Sequence, residues 1–271
     1  MALEILHGAK SDVGRKRHRN EDRHCADPSL GLFLVCDGMG GGKAGEVASA
    51  LAVETIHRHF AEATRHPDLP FVREVDDEFS PTTNRLASAI KLANDVIYKS
   101  AVDRPEWRGM GTTVVAAVLT DQILSFAHVG DSRLYLIRNQ TIQPLTMDHS
   151  WVNEQVRQGL LTVKEAERSP HRNIVTRALG AEAAVDVALG ELPLFADDLL
   201  LLCSDGLTKS VQPSTILDTL LDAEDAQTLS RRLISLANEA GGEDNTTVIV
   251  LTVRERQDRG LWQRLRQRLA M

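Results

Sequence analysis

The pattern of apolar and polar residues along the chain contains four short apolar runs, each of which stops at or starts from an aspartate. The runs are LFLVCDG at 32–38, FAHVGDSR at 126–133, LLLLCSDG at 199–206 and DNTTVIV at 244–250. Apolar runs of this length with β-branched residues predict buried strands. We therefore expect several strand ends to meet at one acidic pocket, formed by Asp37, Asp131, Asp205 and Asp244.

The segments between these runs predict both helices and loops. Apolar residues recur at helical spacing over 44–60 and 82–101, and a helix over 225–240 stops at a pair of glycines. Three prolines among many charged residues at 64–81 predict a loop. Residues 149–180 are polar and only partly helical, with a threonine and a glutamate spaced as a capping box.

The remaining strands are predicted to pair as hairpins. Residues 111–145 are strand-rich, and further strands are expected over 185–189, 199–203 and 246–253. Hairpins separated by pairs of long helices do not give the strict alternation of a doubly wound sheet. The predicted fold class is α+β, a four-layer α-β-β-α sandwich in which two antiparallel sheets pack face to face with helices outside.

The four aspartates suggest a metal site. Packed carboxylates repel one another unless protons or cations are shared among them. Mg²⁺ and Mn²⁺ are hard cations that prefer oxygen ligands. The first hypothesis is therefore an all-oxygen metal site between strands.

Composition narrows the function classes. A net charge of −7 over 271 residues argues against a nucleic-acid binder, which would usually carry a basic face. The chain has no apolar stretch near the length of a membrane span, and its first residues lack the apolar core of a signal peptide. Of the three cysteines, Cys36 and Cys203 lie inside apolar runs, which favours buried thiols over disulfides. The expected location is the cytoplasm.

The N-terminal segment GRKRHRNED at 14–22 is the second informative pattern. Arg17 could grip a phosphate with two parallel hydrogen bonds, and Glu21 and Asp22 could add oxygen ligands to a metal cluster. The alternative is a solvated turn of mixed charge. An acidic cluster beside an arginine is the apparatus of phosphoryl hydrolysis by two metal ions, which needs no protein nucleophile. No cysteine is followed six positions later by an arginine, so the thiol-phosphatase loop is missing.

At this point the chain resembles a known family, the metal-dependent Ser/Thr protein phosphatases of type 2C in their compact bacterial form. Seven motifs carry the resemblance in family order and spacing, from Gly14 to Val250. They are Arg17 with NED at 20–22, DGMGG at 37–41, AGEVAS at 44–49, GTT at 111–113, GDSR at 130–133, SDGL at 204–207 and DNTTVIV at 244–250. The family fold, a β-sandwich flanked by helices, agrees with the strand pattern.

The resemblance implies a ligand set for two core metal ions. Asp37 is expected to bridge the two ions, with the Gly38 carbonyl on one of them. Asp205 and Asp244 are expected to ligate the other ion.

The resemblance also implies roles for the remaining charged residues. Glu21 and Asp22 are expected to hold the first metal, directly or through water. Asp131, together with Asp205, is expected to form a third and weaker metal site. Arg17 is expected to bind the substrate phosphate.

The implied activity is hydrolysis of phosphoserine and phosphothreonine on proteins, with Mn²⁺ or Mg²⁺ as cofactor. Arg17 and Asp37 are the expected catalytic residues, and a metal-bridging water or hydroxide attacks directly without a phosphoenzyme. The expected partners are phosphorylated proteins, with a cognate Ser/Thr kinase or its substrates suggested by family analogy alone. The expected oligomeric state is a monomer.

The motifs leave the proton donor for the leaving group open. Met39 stands where eukaryotic members of the family carry a histidine proposed as the general acid. Metal-bound water is the favoured donor, and His149 and His171 are weaker candidates, because a lone histidine is more often structural or solvent-exposed than catalytic. Both histidines fall in residues 149–175, which correspond to the mobile flap of the bacterial family.

Two alternatives remain beside the phosphatase hypothesis. Gly40, Gly42 and Gly45 satisfy a dinucleotide-binding pattern, but that reading requires a parallel strand after the following helix. A degenerate phosphatase fold acting as a binding or regulatory module would require loss of metal ligands, and every expected ligand is present.

The domain prediction separates the body of the chain from its end. Residues 3–254 are expected to form a single phosphatase domain that includes the flap. Residues 255–271 predict a basic amphipathic helix. The simpler interpretation packs this helix on its own domain, and the alternative is an anchor for a partner protein or an acidic membrane.

Overall fold

A computed structural model describes residues 3–41 and 44–256, which contain two antiparallel β-sheets. The first sheet has the spatial order β1 (Leu3–Asp12), β11 (Thr246–Glu255), β10 (Leu199–Cys203), β7 (Arg133–Arg138) and β8 (Thr141–Pro144). The second has the order β2 (Asp22–Asp27), β3 (Leu32–Met39), β5 (Val114–Thr120), β6 (Ile123–Val129) and β9 (Ala188–Pro193), with β4 (Gly111–Thr112) beside β3.

Helices cover the outer faces of both sheets. The helices are α1 (Ala44–Arg65), α2 (Pro81–Asp103), α3 (Trp151–Arg157), α4 (Val163–Arg168), α5 (Asp205–Ser210), α6 (Pro213–Leu220) and α7 (Ala226–Glu239). Helices α1 and α2 pack on the second sheet, and α5, α6 and α7 pack on the first. Helices α3 and α4 belong to the polar segment that sequence analysis singled out.

The apolar runs are continuous because both faces of each central strand are buried. In β3, Leu32 and Leu34 face α1 and α2, whereas Phe33 and Val35 face the other sheet. Strand β10 alternates in the same way, with Leu202 between the sheets. Alternate side chains of a strand point to opposite faces, so one run of sequence supplies two apolar layers. The α+β four-layer sandwich predicted from the sequence is confirmed.

Element boundaries differ from the prediction in a few places. Helix α1 continues five residues past the predicted end to Arg65. The strand expected at 185–189 lies at 188–193, because its bounds follow from pairing with β6 and not from the local apolar residues. The sequence did not predict α5 or α6, which are short and contribute little periodic signal.

The dinucleotide hypothesis is wrong, because α1 leads through a loop to α2 and not to a parallel strand. Gly42, part of that pattern, lies outside the described residues, as do residues 257–271 and so nearly all of the predicted C-terminal helix. Among the described helices, none combines the length and the apolar character that crossing a membrane requires.

Leu202→Ala should lower the free energy of unfolding by about 2–5 kcal/mol, because the side chain is fully buried between the sheets and leaves a cavity. Chemical denaturation monitored by circular dichroism measures the change. Leu160→Ala is the matched control, since Leu160 is 65% exposed in the polar segment and its loss should cost little. Equal effects of the two substitutions would contradict the assignment of the inter-sheet layer as the core.

Candidate metal centre

The two sheets bring the predicted aspartates together at one end of the sandwich. Asp37 lies near the end of β3, in the second sheet. Asp205 is the first residue of α5, two residues after the end of β10, and Asp244 lies two residues before β11, so both flank strands of the first sheet. Asp131 lies in the turn that crosses from β6 to β7, between the sheets.

Asp22 joins these residues through strand pairing. It opposes Asp37 directly in the β2–β3 ladder, where like charges destabilise a sheet unless they are compensated. Ser204 Oγ donates a hydrogen bond to Asp22 Oδ2 at 2.7 Å and accepts one from the Thr247 backbone at 2.9 Å. We refer to the five aspartates as the carboxylate cluster: Asp22, Asp37, Asp131, Asp205 and Asp244.

A pair of threonines fixes the backbone of Asp37. Its N–H donates to Thr113 Oγ1 at 3.1 Å, and its carbonyl accepts from the Thr113 N–H and the Thr112 hydroxyl, both at 2.8 Å. Thr113 Oγ1 also lies 2.7 Å from Ser132 Oγ. The GTT motif therefore ties Asp37 to the turn that carries Asp131.

Close packing explains the glycine after Asp37. A Cβ on Gly38 would lie 2.2 Å from the Gly45 carbonyl oxygen and 2.6 Å from that of Glu21. No side chain fits between β3, the start of α1 and the N-terminal segment. This packing holds the Glu21 backbone against Gly38, and burial raises the pKa of the Glu21 carboxyl.

Asn245 is a functional residue that sequence reasoning did not single out. Its amide donates to the carbonyls of Val13 and Arg19, and its Oδ1 accepts from the Glu21 N–H at 2.8 Å. The side chain thus fastens the N-terminal segment to the residue after Asp244. Its position within the DNTT motif at 244–247 could have indicated this role. The position of Ser204 within the SDGL motif at 204–207 is a similar signal for the residue that binds Asp22.

The electrostatics of the carboxylate cluster are unfavourable as they stand. Burial raises the pKa of Asp37 well above its usual range, and the charges of the other four aspartates raise it further. Burial raises the pKa of Asp22 to about 7, and burial with the charge of Asp205 does the same for Asp131. Folding therefore gathers more negative charge than the pocket holds without protons or cations.

The donor set fits a hard divalent cation. Oδ1 of Asp22 and Oδ1 of Asp205 are buried without a hydrogen-bond partner, which is costly unless something else satisfies them. Carboxylate oxygens are the ligands that Mg²⁺ and Mn²⁺ prefer. Within 3–41 and 44–256, no three acidic, imidazole or thiol side chains yet converge on a single point. Two of the aspartates face basic side chains instead.

Those basic side chains are Arg17 and Lys209. Arg17 grips Asp244 with both arms of its fork, from Nε to Oδ1 at 2.9 Å and from Nη2 to Oδ2 at 3.0 Å. Lys209 donates to Oδ2 of Asp205 from one turn later in α5. Burial lowers the pKa of Lys209, but the neighbouring aspartates outweigh it and raise the pKa overall. The sequence predicted Arg17 at the site but not Lys209, because its spacing of four from Asp205 is informative only once α5 is known to be a helix.

His149, a weak candidate for proton donor, has a structural role. Its Nδ1 accepts a hydrogen bond from the Gly130 N–H at 3.1 Å, and its ring stacks on His128 with 4.6 Å between centroids. Burial and the neighbouring His128 lower the pKa of His149 to about 4, so the ring is neutral at pH 7. It supports the turn before Asp131. His171 lies edge-on to Trp151 in the flap.

The flap segment, 149–175, carries α3 and α4 beside the carboxylate cluster. The predicted capping box is confirmed, with Thr162 and Glu165 each satisfying the other's backbone. A cavity of about 530 Å³ is lined by residues of the flap and by Asp131, Asp205 and Lys209. The cluster therefore opens towards the flap.

Comparisons with known proteins agree with this geometry. Residues 14–243 match the family model of protein phosphatase 2C. The chain is 38% identical over 248 residues to the serine/threonine phosphatase stp of Listeria monocytogenes. The alignment covers 89% of this chain and 93% of that protein. It superposes on the Mycobacterium tuberculosis serine/threonine phosphatase PstP/Ppp with a TM-score of 0.81 and 33% identity, covering 94% and 100% of the two chains. A crystal structure of the PstP catalytic domain in complex with two manganese ions gives a TM-score of 0.79 at 33% identity, covering 93% and 100%.

With EDTA present, Asp22→Asn should stabilise the protein by an amount that grows with pH. The pKa of Asp22 is about 7 in the folded protein and about 4 in an unfolded chain, so between these values the folded protein binds the extra proton. Wild-type stability from this group is therefore lost as the pH rises from about 4 to about 7. The difference in Tm between wild type and D22N measures the effect. The pH dependence that comes from the buried histidines is common to both proteins and cancels in this difference. The exposed control Asp103→Asn should differ from wild type in Tm by an amount that does not change with pH. A pH-independent difference in D22N as well would contradict the raised pKa of Asp22.

Proposed function

The chain belongs to the protein phosphatase 2C family and is a metal-dependent serine/threonine protein phosphatase, and from that premise we propose that the carboxylate cluster is its catalytic metal centre. The observation that carries the proposal is the charge balance around Asp37. Burial raises the pKa of Asp37, and repulsion from the charges of four further aspartates raises it again. A pair of divalent cations would relieve this repulsion.

We assign the two core ions to residues of both sheets. Asp37 would serve as a ligand to both, the Gly38 carbonyl would bind one, and Asp205 and Asp244 would bind the other. The backbone hydrogen bonds to Thr112 and Thr113 support this role for Asp37, because they hold its Cα while the carboxylate stays free to coordinate.

The remaining ligands complete the first ion and a third one. Glu21 and Asp22 hold the first ion, directly or through water, and the unpartnered Oδ1 of Asp22 is the atom available for it. Asp131 and Asp205 form a third, weaker site, which their mutual repulsion supports. Mn²⁺ and Mg²⁺ both suit this all-oxygen set.

Arg17 is assigned to the substrate phosphate. Its guanidinium fork already holds one oxyanion, Asp244, in the two-point geometry that a phosphate would adopt. The side chain is 54% exposed, so an incoming phosphate can reach it. A divalent cation held by Asp244 would compete with Arg17 for that carboxylate and would leave the fork available to the substrate.

The chemistry assigns no covalent step to the protein. Bound divalent ions would supply positive charge to the phosphate oxygens and acidify a water near neutral pH. The two buried cysteines do not serve as nucleophiles, because burial raises the pKa of Cys36 well above its usual range and that of Cys203 to about 12. Arg17 orients the phosphate, and the threonines of the GTT motif keep Asp37 in place.

We propose phosphoserine and phosphothreonine side chains of proteins as the substrates, with a Ser/Thr kinase or its targets as physiological partners and a monomer as the working form. Residues 3–254 form a single catalytic domain in this proposal, and residues 149–175 gate its entrance. The free thiols suit a reducing compartment, which supports the cytoplasm as the location.

Asp37→Asn should reduce hydrolysis of p-nitrophenyl phosphate with Mn²⁺ to background, because the bridging carboxylate is lost while the side chain keeps its size. Circular dichroism checks that the variant folds. Asp103→Asn makes the same chemical change on an exposed helix end and should keep wild-type turnover. Substantial turnover by D37N would reject the metal centre proposed here.

Arg17→Ala should lower kcat/KM for a phosphopeptide about 5-fold to 150-fold, with most of the change in KM. This factor corresponds to about 1–3 kcal/mol, the cost of a lost charged hydrogen bond. The assay uses saturating Mn²⁺, so that changes at Asp244 do not limit the rate. Arg58→Ala removes an arginine that is 64% exposed on α1 and serves as the control. An unchanged KM in R17A would contradict the assignment of Arg17 to the substrate phosphate.

A further inference from the structure

Lys209 is a basic side chain within the carboxylate cluster to which the proposed mechanism gives no role. Helix α5 places it four residues after Asp205, on the same face, and its ammonium donates to Asp205 Oδ2. The charge of Asp131 also attracts it, as does the more weakly acting charge of Asp244. The ammonium therefore balances the two carboxylates assigned to the third ion.

Two other basic side chains, Arg133 and Arg172, line the same cavity, but the positive charge that acts on Asp131 is that of Lys209. Asp148 holds the fork of Arg133 with hydrogen bonds of 2.8 and 2.7 Å. The charge of Arg133 is thus already compensated. The Lys209 side chain is 37% exposed, so it can leave the cluster for solvent without crossing the packed core.

We propose that the Lys209 ammonium is a built-in counter-cation that occupies the third-ion position between Asp131 and Asp205 and weakens the binding of a divalent ion there. The inference rests on the proposed metal centre. A divalent ion must displace the ammonium from Asp205 before it can coordinate, since two cations a few ångströms apart repel one another. Occupancy of the third position therefore requires that Lys209 swing into solvent. A core ion can still use Oδ1 of Asp205, which has no hydrogen-bond partner.

The closing experiment counts Mn²⁺ ions on the full chain after EDTA treatment, by isothermal titration calorimetry. Lys209→Gln keeps much of the side-chain volume and removes the charge. We expect K209Q to bind the third ion about tenfold more tightly than wild type, or to bind one ion more over the same range of Mn²⁺. Lys209→Arg keeps the charge and should behave as wild type.

Two control variants separate a local effect from a general change in charge. Lys99→Gln removes the same charge from an exposed position on α2 and should leave the titration unchanged. Asp131→Asn, combined with K209Q, should abolish the gain, because it removes the other half of the third position. If K209Q folds only with Mn²⁺, the rise of its Tm with Mn²⁺ concentration replaces calorimetry and should exceed that of wild type.

The outcomes distinguish this inference from the function on which it rests. Wild-type-like affinity and stoichiometry in K209Q, with Mn²⁺ still bound, would overturn the role of Lys209 alone. An equal gain in K209R or K99Q would do the same, since charge at this position would then not be the cause. A wild-type chain that binds no Mn²⁺ would reject the metal centre itself.

Discussion

Mutual repulsion among buried carboxylates is the constraint on which the rest of this structure depends. The two sheets deliver Asp37, Asp205 and Asp244 to one end of the sandwich, where burial raises the pKa of Asp37 and its neighbours raise it further. Such an arrangement is unfavourable as a set of bare charges, because each carboxylate is desolvated without a full set of partners. The pocket is stable only with protons or cations, and that requirement is the reason for proposing it as the metal centre of the enzyme.

The residues around the carboxylate cluster fix its backbone positions and leave some carboxylate oxygens without hydrogen-bond partners. Thr113 links Asp37 to the Asp131 turn through side-chain and backbone hydrogen bonds. Asn245 fastens the N-terminal segment at Glu21, and Ser204 holds one oxygen of Asp22 while the other has no partner. Neutral donors position the chain, since a charged donor at each site would cancel the charge that a metal ion needs.

The basic residues of the site are more exposed than the aspartates with which they pair. Arg17 and Lys209 each pair with one aspartate, and both side chains are more than one-third exposed. Exposed ion pairs are weak, so a stronger ligand can displace them. Arg17 can exchange Asp244 for a phosphate, and Lys209 can give up Asp205 to a third ion. Both proposed roles therefore depend on one property, an ion pair between a partly exposed cation and an aspartate of the carboxylate cluster.

The sequence by itself determined the two sheets, the long helices and the aspartates at strand ends, because apolar periodicity and motif spacing are local properties of the chain. It could not determine that Asp22 opposes Asp37, or that Ser204 reaches Asp22 across 182 positions, since strand register and sheet packing are long-range. The short helix α5 escaped prediction for want of periodic signal, and with it the contact of Lys209. The tertiary structure alone decided which oxygens are buried without partners, because burial depends on every layer of the sandwich at once.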